Sequence, residues 1–243
     1  MMNHVLNHHR IAALGLAITL TVAGCAGISL GLGGFTPDPG ERTPGFDVSH
    51  FQGTNIDWNA VKAGGSSFVF AKASQGISSP DKDFTQHVAG ANAVDLPVGA
   101  YHFFQTGDDG VAQAEFFLKT VAGQALQLPP TLDLEGTLTQ EDYKQAVAWM
   151  SHVKEVTNCQ PLLYIDLSHY KALAPMIPPT QPVWLAEYSS SLPSEGLPPT
   201  LWFWQYAETG RVDGVPGDVD ADWFFGSASD LSKLRCGALD AVG

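Results

Sequence analysis

From Gly45 onward, short apolar runs alternate with longer stretches whose apolar residues recur at helical spacing. The runs Gly45–Val48, Ser67–Lys72, Val98–Phe104, Thr131–Glu135, Leu162–Asp166, Val183–Glu187, Leu201–Tyr206 and a short one near Val219 read as strands. Between them, about Trp58–Ala63, Lys82–Ala93, Gly110–Val121, Gln140–Val156 and Ser168–Leu173 read as helices. The fourth is the clearest. Thr139 can cap it with Asp142 three residues on, and Tyr143, Ala146, Val147, Met150 and Val153 then fall on one face. Strands alternating with helices imply parallel pairing, and eight of them imply closure into a barrel. The Ser/Pro/Gly-rich link between Trp184 and Tyr206 has no helical period. The expected fold is therefore an α/β, irregular (β/α) barrel of about eight strands with fewer helices than a regular TIM barrel.

The chain ahead of this pattern differs. Met1–Arg10 is polar, Ile11–Val22 is apolar, and Val22-Ala23-Gly24-Cys25 resembles the lipobox of bacterial lipoproteins, where the leader is removed and the new terminal Cys is lipidated. The apolar run is short for a membrane span, which needs about 20 residues. Residues 1–24 are thus read as a lipoprotein signal peptide, 25–44 as a Gly/Pro-rich tether and 45–243 as the barrel domain. This places the protein outside the cytoplasm, held to a membrane of the cell envelope through Cys25. Past the leader, Cys159 and Cys236 are the other cysteines, and a disulfide or two separate thiols are equally open.

A 243-residue chain with 44% hydrophobic and 15% charged residues has ample core material. Its net charge of −13 argues against a nucleic-acid partner, because phosphate binding needs clustered Lys and Arg.

Asp47, Asp133, Glu135 and Asp220 all stand at or near expected strand ends, where a barrel gathers its reactive groups. Asp133 and Glu135 lie two apart in Leu-Asp-Leu-Glu, so both point to one side while Leu132 and Leu134 face the helices. Two carboxylates held together repel when both are ionised, which raises one pKa and keeps a proton donor near neutral pH. Cleavage of a glycosidic bond needs such an acid and a second carboxylate beside it. If the first and last strands are neighbours, Asp47 and Asp220 join the pair. By spacing alone, a solvated edge or a divalent-metal site stays open beside the catalytic reading. No His-Glu-x-x-His or paired-Cys ligand set accompanies the acids, and neither a metal nor a cofactor is expected.

The chain from Gly45 to about Phe225 resembles the family 25 glycoside hydrolases, bacterial and phage lysozymes with a modified barrel. The matching segments are Gly45-Phe-Asp-Val-Ser-His-Phe-Gln52, Ile56-Asp-Trp58 and Phe70-Ala-Lys-Ala-Ser-Gln-Gly76. Val98-Gly-Ala-Tyr-His-Phe103, Leu132-Asp-Leu-Glu135, Val183-Trp-Leu-Ala-Glu-Tyr188, Trp204-Gln-Tyr206 and Val219-Asp220 follow in the same order. The resemblance implies Glu135 as general acid. It implies Asp133 as partner, acting as nucleophile or base or orienting the substrate's N-acetyl group. Asp47 and Asp220 are the implied flanking acids. The bond implied is the β-1,4 linkage from N-acetylmuramic acid to N-acetylglucosamine in peptidoglycan, cut by a monomer. Gln75 stands where the family often has Glu, and Phe46 and Phe51 replace a usual aliphatic residue and a usual Trp.

Sugar sites also use aromatic faces, because the CH-rich face of a pyranose packs on a ring. Tyr101, Tyr164, Trp184 and Tyr188 are candidates for this role, with His102 and Gln205 as hydrogen-bonding partners of sugar or acid. Phe70, Trp202 and Phe203 read as core. Lys72, after an apolar strand, is placed to neutralise an acid in the barrel mouth.

Overall fold

A computed structural model describes residue 38, residues 40–234 and residue 236. The leader and Cys25 lie outside the described residues. Among the described residues nine strands form, in chain order β1 (Arg42–Val48), β2 (Val69–Gln75), β3 (Ser79–Pro80), β4 (Val98–Phe103), β5 (Thr131–Asp133), β6 (Leu162–Asp166), β7 (Val183–Ala186), β8 (Leu201–Gly210) and β9 (Val219–Phe225). Their order in the sheet is β1-β9-β8-β7-β6-β5-β4-β2-β3, and β1 pairs back onto β2. Eight strands therefore close a barrel, with two-residue β3 folded onto the end of β2 outside the ring.

The expectation of parallel pairing holds from β1 through β8 and fails at β9, which is antiparallel to both β8 and β1. The cause is the link. Residues 211–218 carry no helix, and a return to parallel needs a crossover of about a dozen residues or more. β1 also starts at Arg42, so Arg42–Pro44, read from sequence as the end of the tether, pair with Trp223–Phe225.

Five helices cover the barrel: α1 (Trp58–Ala63), α2 (Phe84–Ala93), α3 (Gly110–Val121), α4 (Gln140–Thr157) and α5 (Leu167–Leu173), with short α6 (Ala228–Leu231) near the C-terminus. α4 begins at the Thr139–Asp142 capping box, and its buried face holds Tyr143, Ala146, Trp149, Met150 and Val153. α5 starts on Asp166, whose carboxylate accepts from the Ser168 and His169 N–H groups.

Strand alternation splits the core in two. Outward residues such as Phe46, Val48, Ala71, Val98, Leu132, Leu134, Leu163 and Ile165 pack against the helices. Inward residues Phe70, Leu162, Trp184 and Phe203, with Phe68 ahead of β2, fill the barrel's lower half. Phe68 and Phe203 meet edge-on at 5.2 Å, and Phe70 lies 4.7 Å from Trp184. Two glycines make this plug fit: a Cβ on Gly45 would come within 2.4 Å of the Phe68 ring, and one on Gly99 within 2.3 Å of Phe70. With aromatic rings sealing the bottom, polar side chains gather above them. Cys159, just after α4, and Cys236 are disulfide-bonded with Cα atoms 5.4 Å apart, tying the C-terminal end to the α4–β6 link.

Candidate active site

Above the aromatic plug, a cavity of about 190 Å³ is lined by Asp47, Asp133, Glu135 and Asp220, together with Lys72, Tyr101, Tyr164, Trp184 and Gln205. All four acids named from the sequence meet there. β1 and β9 lie side by side with Asp47 directly opposite Asp220, so both carboxylates project from the same face. Asp133 is the last residue of β5. The strand read as Thr131–Glu135 stops there, because the chain turns through Gly136 at φ +92°. Glu135 is consequently exposed at the mouth while Asp133 stays buried.

The two carboxyls of the Leu-Asp-Leu-Glu run act on each other's titration. Burial, then the charges of Glu135 and Asp47, push Asp133 well above the usual carboxylate range, and Lys72 pulls it back. Burial also raises Glu135, against lowering by its hydrogen bond to Asp133 and by Lys72. The pair therefore holds a proton at pH values where an isolated Asp or Glu would have lost it. Asp47 is raised by burial and by Asp220, and lowered by a hydrogen bond from Gln205. Asp220, less buried, is pushed up to about 6 by burial and then by Glu208 and Glu135.

Gln205 organises the opposite wall. Its Nε2 donates to Asp47 Oδ2 at 2.8 Å, and its Oε1 accepts from the hydroxyls of Tyr164 and Tyr188, each at 2.8 Å. Tyr188 is 52% exposed and forms part of the rim, whereas Trp184 is 2% exposed and forms the floor. Trp184 is thus a support beneath the cavity more than an open stacking face. Phe51, 82% exposed, is the ring most available to solvent at the mouth.

His102 is not at the cavity. Tyr101 faces inward on β4, so its neighbour faces outward, into the layer beneath α3 and α4. There His102 Nδ1 bonds Ser74 Oγ at 2.8 Å, Nε2 bonds Gln113 Oε1 at 3.1 Å, and the ring stacks on Trp149. Burial holds its pKa down at about 4, so it is a neutral structural histidine. The Lys72 expectation fares better: the ammonium lies over the Phe103 ring at 4.5 Å and lowers both Asp133 and Glu135.

One acid escaped the sequence reading. Asp222 is fully buried, and its Oδ1 accepts from Trp184 Nε1 at 2.9 Å while Oδ2 has no partner. Burial and then Asp47 push its pKa well above the ordinary value. The alternation Val219-Asp-Ala-Asp222 puts it on the same face as Asp220, and that parity was the available signal.

Comparison with known proteins identifies the family. Residues 46–215 match the family model "Glycosyl hydrolases family 25". Lysozyme M1 of Streptomyces globisporus is 33% identical over 83% of this chain and 77% of its own length. An N,O-diacetylmuramidase of Arthroderma benhamiae is 29% identical over 90% of this chain and 97% of its own. Among solved structures, the bacterial lysozyme from Streptomyces coelicolor superposes with a TM-score of 0.71 at 33% identity, covering 79% of this chain and 96% of that one.

Proposed function

The chain belongs to glycosyl hydrolases family 25 and is a glycoside hydrolase, and on that premise we propose that it cuts the β-1,4 bond from N-acetylmuramic acid to N-acetylglucosamine in peptidoglycan. Glu135 is the general acid and Asp133 its partner. The observation that carries this assignment is the placing of one exposed and one buried carboxyl in a cavity that Asp47 and Asp220 also line.

Their placing also favours one route. Two carboxyls two residues apart at one strand end stand on the same side of the cleft, not on opposite faces of the sugar ring. Asp133 instead accepts the N–H of the sugar's own acetamido group and turns the amide oxygen toward the anomeric carbon. Glu135 gives its proton to the departing oxygen as the C–O bond breaks, and the amide oxygen forms a new bond to carbon. Water then opens this ring from the other side, handing a proton to the Glu135 carboxylate and returning the acetamide. Configuration is retained. Lys72 stabilises the anionic form of the pair, and Asp47 with Asp220 offset the positive charge that builds on the sugar.

Incubation with purified peptidoglycan, followed by mass analysis of the new reducing end, tests the reading. Muramic acid at that end supports it, absence of product supports a wall-binding protein, and activity confined to other N-acetylated glycans supports a different hydrolase. Glu135→Gln should lower kcat by at least about 100-fold with an unchanged Tm. NMR of the first-formed anomer tests retention. The Val22-Ala23-Gly24-Cys25 segment supports an exported lipoprotein held to a membrane through Cys25. Cys25→Ser should abolish incorporation of a labelled fatty acid.

A further inference from the structure

Beside the cleft, and sharing Lys72 with it, lies a second cavity of about 230 Å³. It forms where β3 folds back on the end of β2, and Lys72, Gln75, Ser79, Asp81, Lys82 and His50 line it. Two ammonium groups facing one hollow stand out in a chain with 12 basic and 25 acidic residues.

Asp133, Asp81 and Glu135 act on Lys72, and Lys82 pairs with Asp83, yet neither ammonium is used up. Asp81 keeps its carboxylate fully buried, where Oδ2 accepts from the His50 backbone N–H at 3.0 Å and from its ring Nδ1 at 2.7 Å. Its Oδ1 accepts from the Asp83 N–H at 3.0 Å. Lys82 pairs with Asp83 at 3.2 Å, but its side chain is 71% exposed, so the pair is weak and the ammonium can swing to a ligand. Lys72 donates to Gln75 Oε1 at 3.0 Å. That amide aims the ammonium without neutralising it, as a carboxylate in its place would. Each ammonium has three N–H groups and spends one on these bonds, so the ligand that fits between them is an acceptor, and an anion serves best.

We propose that this cavity is a subsite for the carboxylate-bearing peptide arm of the muramic acid sugar, an inference that rests on the muramidase reading above. Lys72 lines both hollows, so the second cavity adjoins the cleft that holds Asp133 and Glu135. The sugar cut there carries a lactyl group on its ring, and in intact peptidoglycan that group is extended by a peptide with free carboxylates.

The test compares kcat/KM on peptide-bearing peptidoglycan with that on the same glycan stripped by an amidase. Measurements use wild type, Lys82→Gln and Lys82→Glu. The expected result is a fall in the ratio of peptide-bearing to stripped activity, about five-fold for Lys82→Glu and smaller for Lys82→Gln, with the difference shrinking at high salt. A ratio that does not move overturns the subsite, and an equal loss on both substrates overturns the peptide assignment. Failure of wild type to turn over either substrate overturns the muramidase reading itself, and this proposal with it.

Discussion

Gln205 stands between an acid and two phenols, donating to Asp47 at 2.8 Å and accepting from both Tyr164 and Tyr188 through one oxygen. A residue that carries no charge thereby lowers the pKa of one acid and positions two phenols. An amide is suited to this because it donates and accepts at once.

Replacing Gln205 tests that role in two directions. Gln205→Leu strips Asp47 of its donor and leaves buried polar groups unmatched, and should cost about 2 kcal/mol of stability and at least about 10-fold in kcat/KM. Gln205→Glu adds a carboxylate beside Asp47, which should raise the acid's pKa further and move the activity optimum to higher pH. Denaturant melts and pH–rate profiles read both.

Asp222 holds the Trp184 indole N–H while its other oxygen has no partner. An acid in that setting is expected to stay protonated, and Asn is the neutral isostere. Asp222→Asn should therefore keep near-normal activity and Tm at neutral pH. Asp222→Leu removes the acceptor and should cost about 1–3 kcal/mol, with a raised KM from a displaced floor. Equal damage from both variants would mean that Asp222 works as an anion.

The raised carboxyls give stability a definite slope with pH. For Asp220 the folded pKa is about 6 against an ordinary 3.8, so between these values the folded protein binds the proton more tightly than the unfolded chain. Stability from this group is full below about 4 and is lost as pH rises through about 6. Asp220→Asn lacks this dependence. Its Tm should gain on that of wild type between pH 4.5 and 6.5, by a few °C at most. A constant difference across that range would contradict the assignment.

Lys72 lowers the pKa of both Asp133 and Glu135. Lys72→Met should let both rise, carrying the two limbs of the kcat/KM profile to higher pH by about half a unit or more. A profile that keeps its position and loses only height would assign Lys72 to binding alone.

Particular residues show how far the chain could be read without coordinates. Asp133 and Glu135 were legible as a pair because side chains two apart on an extended run share a face. Tyr101 and His102, adjacent on β4, could not both reach one cavity, and parity alone could have removed His102. Asp222 was legible by the same rule, yet nothing local distinguishes it from a solvated acid. Its burial comes from Trp184, on another strand.

Sequence periodicity determined the eight barrel strands, the helical cover and the capped start of α4, since these follow from local patterns of apolar and polar residues. The order of Asp47, the 133–135 pair and Asp220 along the chain was likewise plain. Tertiary structure alone decided that β9 runs antiparallel and sets Asp47 opposite Asp220, that Gln205 bridges Asp47 to two tyrosines, and that Cys159 finds Cys236. These depend on which strands become neighbours when the sheet closes, and contacts between residues distant in sequence leave no periodic trace in it.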